Sequence, residues 1–305
     1  MLGHAIFVCL GLALLLYGGE RAVEAAVSLA RAFGLPTLLI GGTLVAIGSS
    51  IPEIATALYA GIYNTGDFAA GHIIGSATSQ ITLGVGVVAL LAPLRLERRK
   101  VCFYGAAMIV AMGLMVLAIG SGTVTRFEGA GLVIAYLVFL VVRIRTDEDA
   151  SAVDRVADAD HSPARATAWI LVGFALVAVG GHLLVANSRA LAVALGIPEY
   201  LLGLVTGLGT TTPEIVIAAL AVHRGEGDIA VGTLFGSNIT DPLFSFGLGA
   251  AVSGFTIEHT AATVVSGGYM IAVSALVAVL FFLNGGISRR VAVGCIALYV
   301  PTYLL

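Results

Sequence analysis

The 305-residue sequence predicts an all-α integral membrane protein, with ten transmembrane helices arranged as two inverted five-helix repeats and one broken helix in each repeat. Three observations carry this expectation. Hydrophobic residues make up 59% of the chain and charged residues 11%, against about 45–50% and about 25% in soluble domains. The apolar residues come in blocks of about 20 separated by short polar breaks, long enough to cross about 30 Å of hydrocarbon as helices. Finally, a motif in the first half, GSSIPE at 48–53, returns in the second as GTTTPE at 209–214, so that Glu53 and Glu214 stand 161 residues apart.

The expected spans are residues 3–28, 37–62, 68–92, 101–120 and 126–143, then 166–190, 199–222, 229–253, 260–283 and 288–304. No residue-by-residue alternation suggests a β-barrel. The N-terminal stretch MLGHAIFVCLGLALLLYGG lacks a basic leader and a small-residue cleavage site, and is read as a retained first span. Residues 144–165, rich in Asp and Ala and poor in large apolar side chains, form an expected linker. The chain thus divides into 1–143 (first repeat), 144–165 (acidic linker) and 166–305 (second repeat). The 161-residue offset also pairs Asp67 with Asp228, Gly71 with Gly232, Gly75 with Gly236 and Ser76 with Ser237. An odd number of spans per half makes the second half enter the membrane from the opposite face, the architecture of many secondary transporters.

With the N-terminus outside, one side of the membrane collects Arg31, Arg95, Arg98, Arg99, Lys100, Arg143, Arg145, Arg155, Arg165, Arg224, Arg289 and Arg290. The other side keeps little more than Arg126 and Arg189. The positive-inside rule then puts both termini outside and the linker in the cytoplasm, in a multi-pass protein of the plasma membrane. A net charge of −3, without a clustered basic stripe, argues against a nucleic-acid partner. The surrounding partner is membrane lipid. The sequence sets no oligomeric state, and a monomer is compatible with it. Cys9, Cys102 and Cys295 lie in separate apolar blocks and read as small packing residues.

Pro52 and Pro213 sit in mid-span. Each lacks an N–H and crowds the preceding turn, so the helix must kink or break there. Backbone freed at that depth must face a polar cavity or an ion, which makes the carbonyls near Ala46 and Gly207 candidate cation ligands. Glu53 and Glu214 each cost at least about 2.5–3.5 kcal/mol at the bilayer centre without a partner, and no Lys or Arg shares their segments. Either they hydrogen-bond as neutral carboxyls between helices or an external cation balances them. Oxygen ligands select hard cations such as Ca²⁺ or Na⁺.

The third and eighth spans supply a second face, GHIIGSATSQ at 71–80 and GTLFGSNITD at 232–241. Their glycine pairs permit close helix approach. Ser76 with Gln80, and Ser237 with Asp241, stand at i and i+4 on one face. Other readings stay open. Ser49, Ser50, Thr210 and Thr211 can back-bond to the preceding turn, and Gln80 can serve as an interhelical hydrogen-bonder. Asp67 and Asp228 read as caps, His72 and His182 as packing or capping residues, and Glu20, Glu24 and Glu199 as residues near span ends or within the packed bundle.

Both glutamate motifs and both Gly-Ser segments resemble the α-repeats of the cation/calcium antiporter superfamily, particularly the prokaryotic sodium/calcium exchangers, and the likeness covers essentially the whole chain. The resemblance implies a secondary antiporter, not an enzyme, with no cofactor, carrying Ca²⁺ and Na⁺ as substrates. It implies that Glu53 and Glu214 are central calcium ligands flanked by Ser50 and Thr211. It further implies that Ser49, Ser76, Thr210 and Ser237, with the carbonyls of Ala46 and Gly207, line sodium sites. Asp241 matches the family's acidic or amide position. Gln80 falls where the family usually has asparagine, and Ala77 replaces the usual asparagine after Gly-Ser. A proton- or potassium-coupled cation exchanger uses the same scaffold. A channel fits less well, because an occluding carboxylate cluster in inverted repeats is not a ring from identical subunits.

Overall fold

The computed structural model describes residues 2–32, 50–146, 162–223 and 227–304. In chain order, α1 (Leu2–Ala32), α2 (Ile51–Tyr63) and α3 (Gly66–Ser79) lead through a π-helical turn at Gln80–Gly84 into α4 (Val85–Leu91). Then come β1 (Leu94–Arg95), α5 (Arg98–Ile119), β2 (Thr123–Val124) and α6 (Arg126–Thr146). The second half holds α7 (Pro163–Leu195), α8 (Glu199–Thr210), α9 (Thr212–His223) and α10 (Gly227–Thr240). A second π turn at Asp241–Ser245 leads to α11 (Phe246–Ser253), β3 (Phe255–Thr256), α12 (Thr260–Asn284), β4 (Gly286–Ile287), α13 (Arg289–Ala297) and a 3₁₀ turn (Val300–Tyr303).

Among the described residues, six segments are long and apolar enough to cross a bilayer: Leu2–Ala22, Gly66–Leu91, Arg98–Ile119, Pro163–Leu195, Glu199–His223 and Thr260–Asn284. Polarity runs opposite to that of a soluble protein. Leu117, Phe127 and Val193 are exposed on the outer face, whereas Glu53, His72, Gln80, Glu214 and Asp241 are fully buried. Lipid accepts the first set, and only the protein interior can accommodate the second.

Glycines decide which helices touch. A Cβ on Gly11 would stand 2.8 Å from Gly180 O, and one on Gly18 would stand 2.8 Å from Gly173 O, so α1 and α7 run antiparallel in close contact. A Cβ on Gly71 would lie 2.3 Å from Tyr200 O and one on Gly75 2.4 Å from Leu204 O, so α3 and α8 run parallel, backbone against backbone. This is the approach expected of the first glycine pair. Gly232 and Gly236 meet nothing among the described residues; the segment matching α8 by the repeat offset falls largely in residues 33–49, outside them.

Several expectations need correction. The spans at 68–92 and 229–253 are not uninterrupted α-helix, because π turns divide them at matching positions 161 residues apart. Pro242, which cannot donate to the helix ladder, accounts for the second turn; nothing in the sequence QITLG marks the first. Helix α6 continues to Thr146 and α7 starts at Pro163, inside the expected segment 144–165; residues 147–161 lie outside the described residues. Cys9 and Cys102 are exposed on the outer face, and only Cys295 is buried.

Asp67 does not cap its own helix. It accepts the backbone N–H of His259 at 3.2 Å and pairs with the His259 ring Nδ1 at 2.6 Å, fixing the start of α12 from the other half. Replacing Asp67 with alanine removes that bond from a part-buried site, at a cost of about 0.5–1.5 kcal/mol. Thermal unfolding in detergent should show a lower midpoint, and an unchanged midpoint would refute this role. The side chain of Asp228 is not among those described. Glu24 pairs with Arg21 and Glu199 with Arg189, at 2.7 and 3.2 Å. His182 bonds the Tyr63 hydroxyl and meets the edge of the Tyr59 ring.

Candidate functional site

Glu53 and Glu214 occupy the first turns of α2 and α9. There the unpaired N–H groups and the helix dipole favour a negative charge. Pro52 enters α2 at its first turn, where a missing N–H costs nothing. Both glutamates are fully buried, and no hydrogen bond of good geometry reaches any of their four carboxylate oxygens among the described residues. Glu214 lies in the neighbourhood of Glu53 and Asp241. None of the ion pairs among the described residues includes these three acids.

The complementary face is a hydrogen-bonded network across the two halves. Gln80 Nε2 donates to Asp241 Oδ2 at 3.3 Å, and Ser76 Oγ donates to the same oxygen at 3.2 Å. Gln80 also reaches Ser76 Oγ at 3.4 Å, as two residues four apart on one face should. Ser245 Oγ donates to Asp241 Oδ1 at 3.5 Å. Thr211 Oγ1 lies 3.1 Å from Ser76 Oγ, and Ser79 Oγ lies 3.3 Å from Thr211 Oγ1. Gln80 Oε1 and Ser50 Oγ are buried without a hydrogen bond of good geometry, with Ser50 facing Asp241. Ser237 is buried as well. Gln80 and Asp241 occupy matching positions of the two motifs, so they touch where the halves meet.

Gly207 behaves differently from a freed carbonyl. Its oxygen accepts the Thr211 N–H at 3.2 Å, the Thr211 hydroxyl at 2.5 Å and the Thr210 hydroxyl at 3.2 Å. The back-bonding reading of both threonines therefore describes this conformation, and a cation taking that oxygen must displace a hydroxyl. Ser49 and Ala46 lie outside the described residues. Among the described residues, no three His, Cys, Asp or Glu side chains draw together into a metal cage. Hydroxyl, amide and carbonyl oxygens must complete any coordination shell.

His72, Thr206 and Ser79, which the motifs do not mark, are all buried in this region. Thr206 stands one turn before Thr210, the spacing that could have drawn notice. His72 bonds both threonines and stacks against Phe68.

A multi-pass helical membrane protein with buried, unpaired carboxylates at paired helix starts belongs to the class of cation antiporters. More narrowly, the model of the family described as sodium/calcium exchanger protein matches residues 3–145 and 165–304, and the chain belongs to that family. It is 32% identical to the putative antiporter CaxA of Alkalimonas amylolytica, over 98% of this chain and 96% of that one. It is 26% identical to the sodium/calcium exchanger MaX1 of Methanosarcina acetivorans, over 80% and 81%. A solved structure of the sodium-calcium exchanger NCX_Mj, soaked with Na⁺ and Ca²⁺, superposes with a TM-score of 0.64 at 26% identity, covering 97% of this chain and 96% of that one.

Proposed function

We propose that this protein exchanges Na⁺ for Ca²⁺ across the plasma membrane by alternating access. The observation that carries the reading is the pair of buried glutamates, Glu53 and Glu214, whose oxygens find no hydrogen-bond partner among the described residues. Two such charges at mid-membrane depth need cations. With Asp241 they supply up to three negative charges, more than one Ca²⁺ neutralises, whereas several Na⁺, or Ca²⁺ with a proton, would balance them.

Ca²⁺ takes six to eight oxygens and bridges both glutamates with help from Ser50 and Thr211. Na⁺ ions distribute over Ser49, Ser76, Thr210, Ser237, Gln80, Asp241 and the carbonyls of Ala46 and Gly207. Competition for shared oxygens makes the two loads alternatives. The names of MaX1 and NCX_Mj as sodium/calcium exchangers agree with this choice of ions.

Alternating access needs two halves of opposite orientation, and four features support ten spans in inverted repeats. Strand β1 pairs with β4 and β2 with β3, so each half lends one strand to each sheet. Helices α1 and α7, the first of each half, are antiparallel, while α3 and α8 are parallel. Gln80 touches its own counterpart Asp241. The family model matches in two segments that leave out 146–164. In this reading α1 and α7 move as one unit across the remaining bundle, both termini face outside and the linker is cytoplasmic.

In proteoliposomes, ⁴⁵Ca²⁺ uptake should follow an outward Na⁺ gradient and ignore K⁺ and pH gradients imposed separately. Uptake driven by the proton gradient alone would replace the sodium reading with proton coupling.

A further inference from the structure

His72 lies on α3 at the closest approach to α8, fully buried. A Cβ on Gly203 would stand 2.7 Å from His72 N, and one on Gly207 would stand 2.2 Å from His72 O. This contact holds the imidazole across one turn of α8. Its Nδ1 lies 3.1 Å from Thr206 Oγ1 and its Nε2 lies 3.4 Å from Thr210 Oγ1. Phe68 stacks on the ring, with centroids 6.0 Å apart, and limits its rotation.

The ring contacts admit two tautomers. In the one with Nδ1 protonated, Thr206 donates its single proton to Gly203 O at 3.0 Å and accepts from His72 Nδ1–H. A neutral imidazole with Nδ1 protonated leaves Nε2 as an acceptor, and the donor facing it is the Thr210 hydroxyl. Thr210 also faces Glu53 and reaches Gly207 O at 3.2 Å. When a cation sits between Glu53 and the Thr210 oxygen, the hydroxyl proton must point away from it. A proton directed at Gly207 O would compete with the cation for that carbonyl; one directed at His72 Nε2 turns the Thr210 lone pairs toward the cation and removes one of the three donors on Gly207 O.

The other half lacks this device. By the 161-residue offset, His72 corresponds to Thr233, Thr206 to Val45 and Thr210 to Ser49. An aliphatic Val45 can neither accept nor relay a hydrogen bond, so the His72–Thr206 bridge is specific to one half and is not a requirement of the repeat fold.

We infer that His72 is a positioning residue for sodium binding: it accepts a hydrogen bond from the Thr210 hydroxyl and thereby turns the Thr210 oxygen toward a monovalent cation. This deepens the sodium/calcium exchange reading and rests on it. Calcium, held chiefly by both glutamates, depends on it much less.

The test compares wild type with His72→Ala, His72→Gln and Thr206→Val in proteoliposomes. Half-saturating Na⁺ is read from Na⁺-driven ⁴⁵Ca²⁺ flux, and half-saturating Ca²⁺ from Ca²⁺/⁴⁵Ca²⁺ exchange without sodium. H72A should raise half-saturating Na⁺ about 10-fold, the low end of what losing an outer-shell partner costs a metal site, with half-saturating Ca²⁺ within about twofold. H72Q, whose amide oxygen can accept from Thr210, should restore most of the sodium affinity. T206V, which installs the residue of the other half, should shift sodium in the same direction and remains informative if H72A does not fold. Equal sodium affinity in T206V and wild type, or equal weakening of both ions with no rescue by H72Q, overturns the assignment. A wild-type protein without sodium dependence overturns the exchange reading, and this inference with it.

Discussion

Glu53→Gln and Glu214→Gln should each reduce Na⁺-driven ⁴⁵Ca²⁺ uptake by at least about 100-fold, beyond the 10–100-fold typical of losing an outer-shell partner at a metal site. Glutamine keeps the shape and one oxygen but removes the charge. Both positions are fully buried at helix starts, so no bulk water replaces the lost interaction and the amide N–H₂ presents a donor where a cation needs an oxygen. The folded protein should persist, because the carboxylates make no hydrogen bond of good geometry among the described residues. Glu24→Gln is the control. That side chain pairs at a half-exposed position with Arg21, where an ion pair is worth about 0–1 kcal/mol, and uptake should stay at wild-type level. Elution as a monodisperse peak in detergent separates loss of transport from loss of fold. Either glutamine variant transporting at the wild-type rate would end the assignment of that residue as a ligand.

Gly207→Ala should be the second severe change, and for a steric reason. The added methyl would stand 2.2 Å from His72 O and 2.6 Å from Ser76 N, both backbone atoms that cannot rotate away. Helix α8 must then retreat from α3 by roughly 1 Å to reach ordinary contact distance, at about 1–3 kcal/mol of overpacking. The retreat falls where the halves exchange their contacts: Thr211 with Ser76, and His72 with Thr206 and Thr210. A misplacement of that size at a reacting centre can cost about 100-fold, and exchange should fall by at least about 10-fold. Gly113→Ala on α5 has nothing among the described residues within 4 Å of the new methyl and should leave transport intact, with helix stability slightly improved. Wild-type exchange in G207A would show that α8 can shift without consequence for the ions.

Much of this was legible in the chain, because the bilayer imposes a simple rule on sequence. Apolar blocks mark helices: α1, α5, α6, α7 and α12 end within five residues of the expected spans, whereas α13 stops at Ala297, short of 304, and the span at 199–222 divides at Thr211. Glu53 and Glu214 were visible for the same reason: a carboxylate at mid-span needs a cause. The glycine pair at 71 and 75 announced a close helix contact, which α8 supplies. Other features depended on neighbours far along the chain. Asp67 read as a local cap because sequence shows only its own helix; its partner, His259, lies 192 residues away. His72 read as a packing residue because Thr206 and Thr210 enter its surroundings only when α3 and α8 meet.

The sequence by itself therefore determined a membrane-embedded helical chain with a duplicated motif and two uncompensated carboxylates, since burying charge in lipid carries a cost that composition and spacing reveal. Only the tertiary structure decided how the remaining oxygens are disposed. It joined Gln80 to Asp241, directed three donors at the Gly207 carbonyl and set His72 behind Thr210. Hydrogen-bond partners are chosen within about 3 Å of one another, and which residues come that close is settled by helix packing.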